Sequence, residues 1–168
     1  FVTFFPQLIA GPIVRYGEMA PQFSRKGVFD IKARNIAIGL TIIAIGLWKK
    51  VVLADGIAVY ANAVFDAAEA GASLTFVEAW GGALAFSLEL YFDFSGYSDM
   101  AIGLARLFGI RLPINFNSPY KAANIIDFWR RWHMTLVRFL RDYLYIPLGG
   151  NRKGSARRYT NVMVVMLL

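Results

Sequence analysis

Long apolar stretches dominate the first third of the chain. Residues 36–48 are almost wholly apolar, and the pattern resumes over residues 51–65 after Lys49 and Lys50. The first stretch alone is shorter than the roughly 20 residues that a membrane span needs. We therefore predict one membrane helix from about Ala33 into the 50s, with both lysines reaching the membrane surface or facing protein. A buried helix of a soluble core is the alternative.

A second apolar stretch, residues 74–92, is also long enough to span a membrane. It carries Glu78 and Glu89, which share one helical face because eleven residues make about three turns, and Asp93 extends that face. Acids inside a span normally face a cavity or an ion partner. The sequence leaves open whether these acids line a functional cavity or only pair with arginines elsewhere. Small residues here favour close helix packing: Gly81, Gly82, Ser95, Gly96, Ser98 and Gly103.

Both ends of the chain predict further membrane elements. Residues 1–12 are apolar but interrupted by Pro6, Gly11 and Pro12, which favours a helix end or a re-entrant segment. Residues 159–168 are typical of the start of another span. We therefore predict an all-α, multi-span integral membrane protein with re-entrant or interfacial helices. We expect residues 1–168 to be an internal part of a single transmembrane domain whose N- and C-terminal parts are missing.

Composition supports a membrane protein. Hydrophobic residues make up 57% of the 168 residues and charged residues only 17%, whereas soluble domains are about 45–50% apolar and about 25% charged. A disordered chain is excluded, and too little polar surface remains for an ordinary soluble domain. With no cysteine and one histidine, we expect neither a metal site nor a cysteine nucleophile.

The net charge of +7 is concentrated in one segment. Residues 121–158 hold nine basic and two acidic residues, whereas residues 51–105 hold seven acids and no lysine or arginine. The positive-inside rule then places residues 15–34 and 121–158 in the cytoplasm and the loop around Asp66 and Glu69 outside it. We expect no nucleic-acid partner, because apolar and aromatic residues fill the gaps between the arginines.

Residues 125–145 show a helical period and follow a proline- and asparagine-rich loop at residues 112–120. Asn124 is positioned to cap this helix. Apolar and aromatic residues share one side and charged residues the other, which is typical of an amphipathic helix at a membrane interface. Two pairs at i,i+4 spacing are predicted on the charged side: Asp127 with Arg131, and Arg138 with Asp142.

His133 departs from this pattern, because a helical projection places it in the apolar arc between Trp129 and Val137. A neutral imidazole there needs a hydrogen-bond partner. A buried structural histidine is one interpretation. A general base is the other, since histidine titrates near neutral pH. Pro147, Gly149 and Gly150 are predicted to end the helix. Residues 151–158 are predicted to form a basic loop, which we interpret as a membrane anchor although phosphate contact is also open.

Three stretches closely resemble the membrane-bound O-acyltransferase (MBOAT) family, within it the bacterial branch that O-acetylates exported polysaccharides such as alginate. They are PQLIAGPIVRY at 6–16, YFDFSGYSDMAIGLARLFGI at 91–110 and NFNSPYKAANIIDFWRRWHMTLVRFLRDYLYIPLGGNRKG at 115–154. The resemblance implies a multi-pass protein of the bacterial inner membrane with a central tunnel. An acetyl group from a cytoplasmic donor, most naturally acetyl-CoA, would pass there towards an exported polysaccharide. An extracytoplasmic partner acetyltransferase is also implied.

The resemblance also implies site residues. One of two family histidines matches His133, and the second lies in a WHG-type motif expected beyond Leu168. We take His133 as the catalytic candidate, assisting direct transfer with no bound cofactor. Trp129, Trp132 and Tyr120 are expected to shape the tunnel, and Arg130 and Arg131 to face the donor. The remaining substrate or tunnel candidates are Asn117, Asp127, Asp93 and Asp99.

A membrane transporter or channel is the rival hypothesis. It assigns the transport pathway to the intramembrane acids Glu78, Glu89, Asp93 and Asp99. It predicts that replacing these acids impairs the protein's function and that replacing His133 does not.

Residues 1–168 alone are predicted to be inactive, because the second family histidine lies outside them. Incubating the purified segment with acetyl-CoA and a polysaccharide should give no acetyl transfer above a control without protein. Transfer above that control would contradict the need for the second histidine.

Overall fold

The computed structural model describes residues 3–8, 11–28, 30–152 and 154–167. Within these ranges every regular element is helical, as predicted. The chain divides into two compact units, Phe1–Pro113 and Ile114–Leu168. Parts of three sequence predictions fall outside the described residues. These are Phe1, Val2, Ile9 and Ala10 of the N-terminal segment, Lys153 of the basic stretch, and Leu168 of the last apolar run.

The first unit is built around one long helix and its partner. Its elements are a 3₁₀ turn at Phe5–Gln7, α1 (Tyr16–Phe23), α2 (Ala33–Trp48), a π-helical segment at Lys49–Ala54, α3 (Asp55–Glu69) and α4 (Phe76–Leu107). Helices α2 and α3 continue through the π-helical segment as one helix of 37 residues. Among the described residues, it is the one helix long and apolar enough to cross a membrane.

Helix α4 contains the second predicted span. It is 32 residues long and begins with a capping box, in which Thr75 and Glu78 hydrogen-bond each other's backbone N–H groups. It does not meet the same test of length and apolar composition. Acids and small residues interrupt its apolar positions. The predicted helix is therefore confirmed, whereas its role as a membrane span stays a prediction.

Two pairs of glycines bring α2 and α4 into backbone contact. A Cβ atom on Gly46 would lie 2.6 Å from the carbonyl oxygen of Gly96, and one on Gly96 would lie 2.7 Å from that of Gly46. Gly39 and Gly103 oppose each other in the same way, at 2.8 and 2.7 Å. Because the numbering rises on one helix and falls on the other, the two helices are antiparallel.

The predicted role of the small residues on α4 is largely confirmed. Besides Gly96 and Gly103, Gly82 packs against Val64 of α3, and a Cβ atom there would lie 2.6 Å from the valine side chain. Ser95 and Ser98 are also buried. Gly81 is the exception, since no described atom lies within 4 Å of the position of its Cβ.

The second unit consists of short helices joined by turns. Its elements are a 3₁₀ turn at Pro119–Lys121, α5 (Ile125–Trp129), α6 (Met134–Leu140), a π-helical turn at Arg141–Tyr145 and α7 (Gly154–Met166). The predicted cap is confirmed, because the side chain of Asn124 accepts a hydrogen bond from the N–H of Asp127 at 2.9 Å. Gly149 and Gly150, both at positive φ, lie in the turns that follow Tyr145, as predicted.

Two predictions about this unit are wrong. The single helix over residues 125–145 is interrupted between Trp129 and Met134, because the backbone at His133 is left-handed. The helical projection could not show this, since apolar residues continue on both sides of the break. The basic stretch 151–158 is also not wholly a loop, because α7 begins at Gly154 and includes Arg157 and Arg158.

Replacing Gly46 or Gly96 with alanine should destabilise the protein. The added methyl group would meet the opposing backbone, and overpacking of this kind typically costs about 1–3 kcal/mol. Thermal unfolding of the purified full-length protein in detergent would measure the loss. Gly56→Ala is the matched control, because this helical glycine has no described atom within 4 Å of its Cβ position. There the better helix propensity of alanine should leave stability equal or raised. Equal unfolding temperatures for Gly46→Ala and Gly56→Ala would contradict the backbone contact.

Candidate active site

His133 lies at the N-cap position of α6 with φ 40° and ψ 53°. A residue with a Cβ atom in this left-handed region costs roughly 1–2 kcal/mol relative to a right-handed helical conformation. Ser118 is the other non-glycine residue at positive φ among those described, and it belongs to the loop that contacts the His133 segment. The chain therefore maintains an unfavourable backbone conformation at its one histidine.

Backbone hydrogen bonds from the 115–117 loop flank His133. The N–H of Asn117 donates to the carbonyl of Arg131 at 2.9 Å, and the N–H of Met134 donates to the carbonyl of Asn115 at 2.9 Å. The two bonds lie before and after His133 in the sequence. They engage peptide groups that a continuous helix would have paired within itself, which is the physical reason for the break.

The side chain of Asn115 extends this contact into α6. Its Oδ1 accepts a hydrogen bond from the hydroxyl of Thr135 at 2.6 Å and a longer one from the N–H of Thr135 at 3.4 Å. Both residues are buried, with 1% and 3% of their surfaces exposed. Asn115 therefore satisfies two N–H groups in the first turn of α6, that of Met134 through its backbone carbonyl and that of Thr135 through its side chain, and the second bond is the one an N-cap side chain ordinarily makes. Sequence reasoning missed both residues, because asparagine in a proline-containing loop indicates only a turn.

Aromatic rings surround the histidine. The ring of Phe116 stacks on the imidazole of His133, with centroids 6.5 Å apart and an interplanar angle of 17°. The same phenyl ring meets Trp132 edge-on at 5.1 Å, and Trp132 stacks on Phe128 at 5.6 Å. Tyr120, predicted to shape a tunnel, contacts both Phe128 and Trp132. The structure thus brings together Tyr120, Trp132 and His133 from the predicted set.

A cavity of about 370 Å³ opens beside His133. Its lining is mostly apolar and comes from α5, the break that follows it, α6, the π-helical turn and α7: Trp129, Trp132, His133, Leu136, Val137, Leu140, Arg141, Tyr145, Val165 and Met166. This volume is at the lower end of the range for small-molecule sites. His133 and Arg141 are its ionisable members besides the phenol of Tyr145.

The imidazole of His133 is half-buried, and this burial lowers its pKa below the ordinary value of 6.5. Desolvation disfavours the charged form of a histidine, so the neutral ring persists to lower pH. A neutral imidazole has a nitrogen able to accept a proton. The protonation state therefore suits a general base at neutral pH.

The charged candidates near His133 are engaged in structural contacts. Arg131 donates through Nε to Asp127 at 3.0 Å, which confirms the predicted pair and holds the pKa of the Asp127 carboxyl below its ordinary value. Arg131 also donates to the carbonyl of Asn117 at 3.4 Å. Asp142, predicted to pair with Arg138, accepts from Arg141 at 2.7 Å. Arg130 and Asn117 are exposed. That Arg130 and Arg131 face an acyl donor stays a prediction.

Asp93 and Asp99 belong to the first unit, where each pairs with a lysine. Lys50 lies 2.6 Å from Asp93 and 2.8 Å from Asp55, and Lys49 lies 2.6 Å from Asp99. Of the acids expected to line a cavity or to pair with arginines, Asp93 pairs with a lysine instead, and Glu78 hydrogen-bonds Thr75 at the start of α4. A tunnel role for Asp93 and Asp99 stays a prediction.

Comparison with known protein families decides the relationship that the motifs indicated. The model of the membrane-bound O-acyltransferase family matches residues 1–168. The chain belongs to this family. Within the MBOAT family, a peptidoglycan O-acetyltransferase of Helicobacter pylori is 60% identical over 168 residues, which are 100% of this chain and 31% of that protein. The chain therefore spans about a third of the length of this relative.

Other MBOAT relatives differ in their named acceptors. A probable alginate O-acetylase AlgI of Pseudomonas fluorescens is 49% identical over 169 residues, covering 100% of this chain and 32% of that protein. A teichoic acid D-alanyltransferase of Bacillus subtilis is 34% identical over 149 residues, covering 87% of this chain and 36% of that protein. The expected family is confirmed, and its relatives carry names of acyl-transferring proteins.

The lowered pKa of His133 should make stability depend on pH. The unfolded chain binds a proton at about pH 6.5 and the folded chain only at lower pH, so acid favours unfolding in this range. The contribution is complete above about pH 6.5 and decreases as the pH falls from there to the folded pKa. Thermal unfolding of the full-length protein between pH 7.5 and 5.5 measures it. His133→Gln should reduce the decrease in unfolding temperature, and an identical decrease in both proteins would contradict the burial of the imidazole.

Proposed function

We propose that the whole protein is a multi-pass O-acetyltransferase component of the bacterial inner membrane. It passes an acetyl group from acetyl-CoA on the cytoplasmic side to hydroxyl groups of an exported polysaccharide. The transfer takes place directly or through an extracytoplasmic partner acetyltransferase. Residues 1–168 supply one of the two histidines expected at the family's active site, namely His133.

The observation that carries this proposal is the position of a neutral imidazole in the wall of an apolar cavity. His133 is half-buried beside about 370 Å³ of space, and its pKa is lowered by that burial. An apolar lining excludes water, which would otherwise compete with the acceptor hydroxyl for the acyl group. The surrounding space is sufficient for a small acyl group.

The chemistry assigned to His133 is proton transfer. As the acceptor hydroxyl oxygen attacks the carbonyl carbon of the thioester, its proton moves to a neutral imidazole nitrogen. The new C–O bond forms and the C–S bond breaks. The proton then passes from the imidazolium to the departing thiolate, which restores the neutral histidine. The expected second histidine, outside residues 1–168, would act together with His133 on the same groups.

The charge distribution supports a cytoplasmic donor. The basic segment 121–158 follows the positive-inside rule for the cytoplasmic face, and His133 lies within it. The basic residues of this segment also suit a donor that carries phosphate groups. The named acceptors of the two O-acetylating relatives, peptidoglycan and alginate, are both polysaccharides, which supports that class of acceptor.

The pairing of acids with lysines argues against the transport hypothesis. Asp93 and Asp99 each have a basic partner at 2.6 Å, and Glu78 belongs to the cap of α4. These contacts account for three of the four intramembrane acids without an ion pathway. We therefore propose acyl transfer alone.

Replacing His133 with alanine in the full-length protein should reduce O-acetylation by about a hundredfold or more, because general acid–base catalysis contributes typically 10²–10⁴-fold. Cells lacking their own copy would express the variant, and acetate released by alkali from the isolated polysaccharide would be measured. Protein amount in the membrane must be matched by immunoblotting.

Asp66→Asn is the matched control, because Asp66 is exposed near the end of α3 and should leave acetylation unchanged. Unchanged acetylation by His133→Ala at normal protein levels would show that the assigned role is wrong. A loss on replacing Asp93 and Asp99, with none on replacing His133, would favour transport.

A further inference from the structure

We propose that Asn115 and Thr135 are positioning residues for the reaction: their hydrogen bond fixes the left-handed backbone of His133 and thereby aims its imidazole at the acyl group. This inference rests on the proposed function, because it assigns to the pair an effect that is transmitted through His133.

The first argument is the placement of the bonds around His133. Asn115 accepts from Met134 through its backbone and from Thr135 through its side chain, at 2.9 and 2.6 Å. Those two residues directly follow His133. With Asn117 bonded to Arg131 on the other side, rotation of the His133 peptide groups is restricted in both directions.

The second argument is burial. Asn115 is among the largest fully buried side chains among the described residues, although it is polar and belongs to a loop. Its amide Nδ2 has no hydrogen-bond partner there, whereas its Oδ1 accepts both bonds from Thr135. Burying an amide that is only half satisfied is unfavourable. The position therefore requires the oxygen acceptor rather than general packing, for which an apolar side chain would serve better.

The third argument is the link to the ring. Phe116 lies between Asn115 and Asn117 in the sequence, and its ring stacks on the imidazole. The same loop thus holds the backbone of His133 through its hydrogen bonds and the plane of the imidazole through Phe116. A shift of this loop would move both. Misplacement of a reacting group by about 1 Å can cost about a hundredfold in rate.

The test compares Thr135→Val with Thr135→Ser in the full-length protein. Valine has nearly the same shape but no hydroxyl, whereas serine keeps the donor to Asn115. We expect Thr135→Val to lower kcat for acetyl transfer by about tenfold to a hundredfold with little change in KM for acetyl-CoA. Thr135→Ser should retain most of the wild-type kcat. Thr160→Val is the control, because the exposed Thr160 makes a hydroxyl bond to the carbonyl of Ala156 on α7.

A second readout separates positioning from simple destabilisation. The rate should decrease in acid as His133 is protonated. If Thr135→Val frees the imidazole towards solvent, its pKa should rise towards the ordinary value, and the acid limb of the pH–rate profile should move to higher pH. Histidine-selective NMR titration of the same protein measures that pKa independently of any activity assay. The His133 signal is assigned by its loss in His133→Ala.

The outcomes distinguish the two proposals. A loss of activity in His133→Ala, with kcat and acid limb unchanged in Thr135→Val, would overturn the positioning role and leave the proposed function intact. Full activity of His133→Ala would overturn the proposed catalytic role. The positioning role would be overturned with it, because the pair acts on the reaction through His133. A reduced amount of folded Thr135→Val, with normal kcat per folded molecule and an unshifted His133 pKa, would show that the pair is only structural.

Discussion

The left-handed backbone of His133 is the constraint on which the second unit depends. A residue with a Cβ atom adopts that conformation only when its surroundings fix it. Here the 115–117 loop pairs with peptide groups on both sides of the histidine. This pairing ends α5, starts α6 and leaves the imidazole beside the cavity. The helix break, the cap of α6 and the orientation of the ring are therefore consequences of one contact between a loop and a helix start.

In the first unit, ion pairs stabilise charged residues that lie in mostly apolar helices. Two lysines and three aspartates occur in long, mostly apolar helices, and ion pairs connect them: Lys49 with Asp99, and Lys50 with Asp55 and Asp93. The lysines begin the π-helical segment, where one additional residue per turn alters the direction of the side chains that follow. Unpaired charges at these positions would be costly in a membrane, so the pairs allow the helices to retain them.

Local contacts could be predicted from the sequence, and distant ones could not. The Asn124 cap and the pair between Asp127 and Arg131 join residues three or four positions apart, so helical spacing alone indicates them. Thr135 and Asn115 are 20 positions apart, and Lys49 and Asp99 are 50 apart. No periodicity in the chain relates such positions. The break in the helix at His133 also depends on contacts between distant positions, so the sequence pattern did not indicate it. The helical projection therefore placed His133 on one face of a continuous helix, whereas the structure has two shorter helices there.

The family could be recognised from the motifs at residues 6–16, 91–110 and 115–154, because matching a motif needs no knowledge of the tertiary contacts. The motifs could not show that Asn115, an ordinary loop residue by type, is buried against Thr135. Its polarity and its position two residues after Pro113 predict an exposed turn. Only the tertiary structure reveals that its side chain caps a helix from outside.

The two glycine pairs between α2 and α4 also limit how this protein can move. Gly39 and Gly46 are seven residues apart, as are Gly96 and Gly103, so the two contacts are separated by about 10.5 Å along the helices. A single contact would act as a pivot, whereas two contacts fix both the crossing angle and the lengthwise register. Piston or scissor movements of one helix against the other would require both contacts to separate together. Any conformational change of this unit is therefore expected to carry these two helices together as one rigid body.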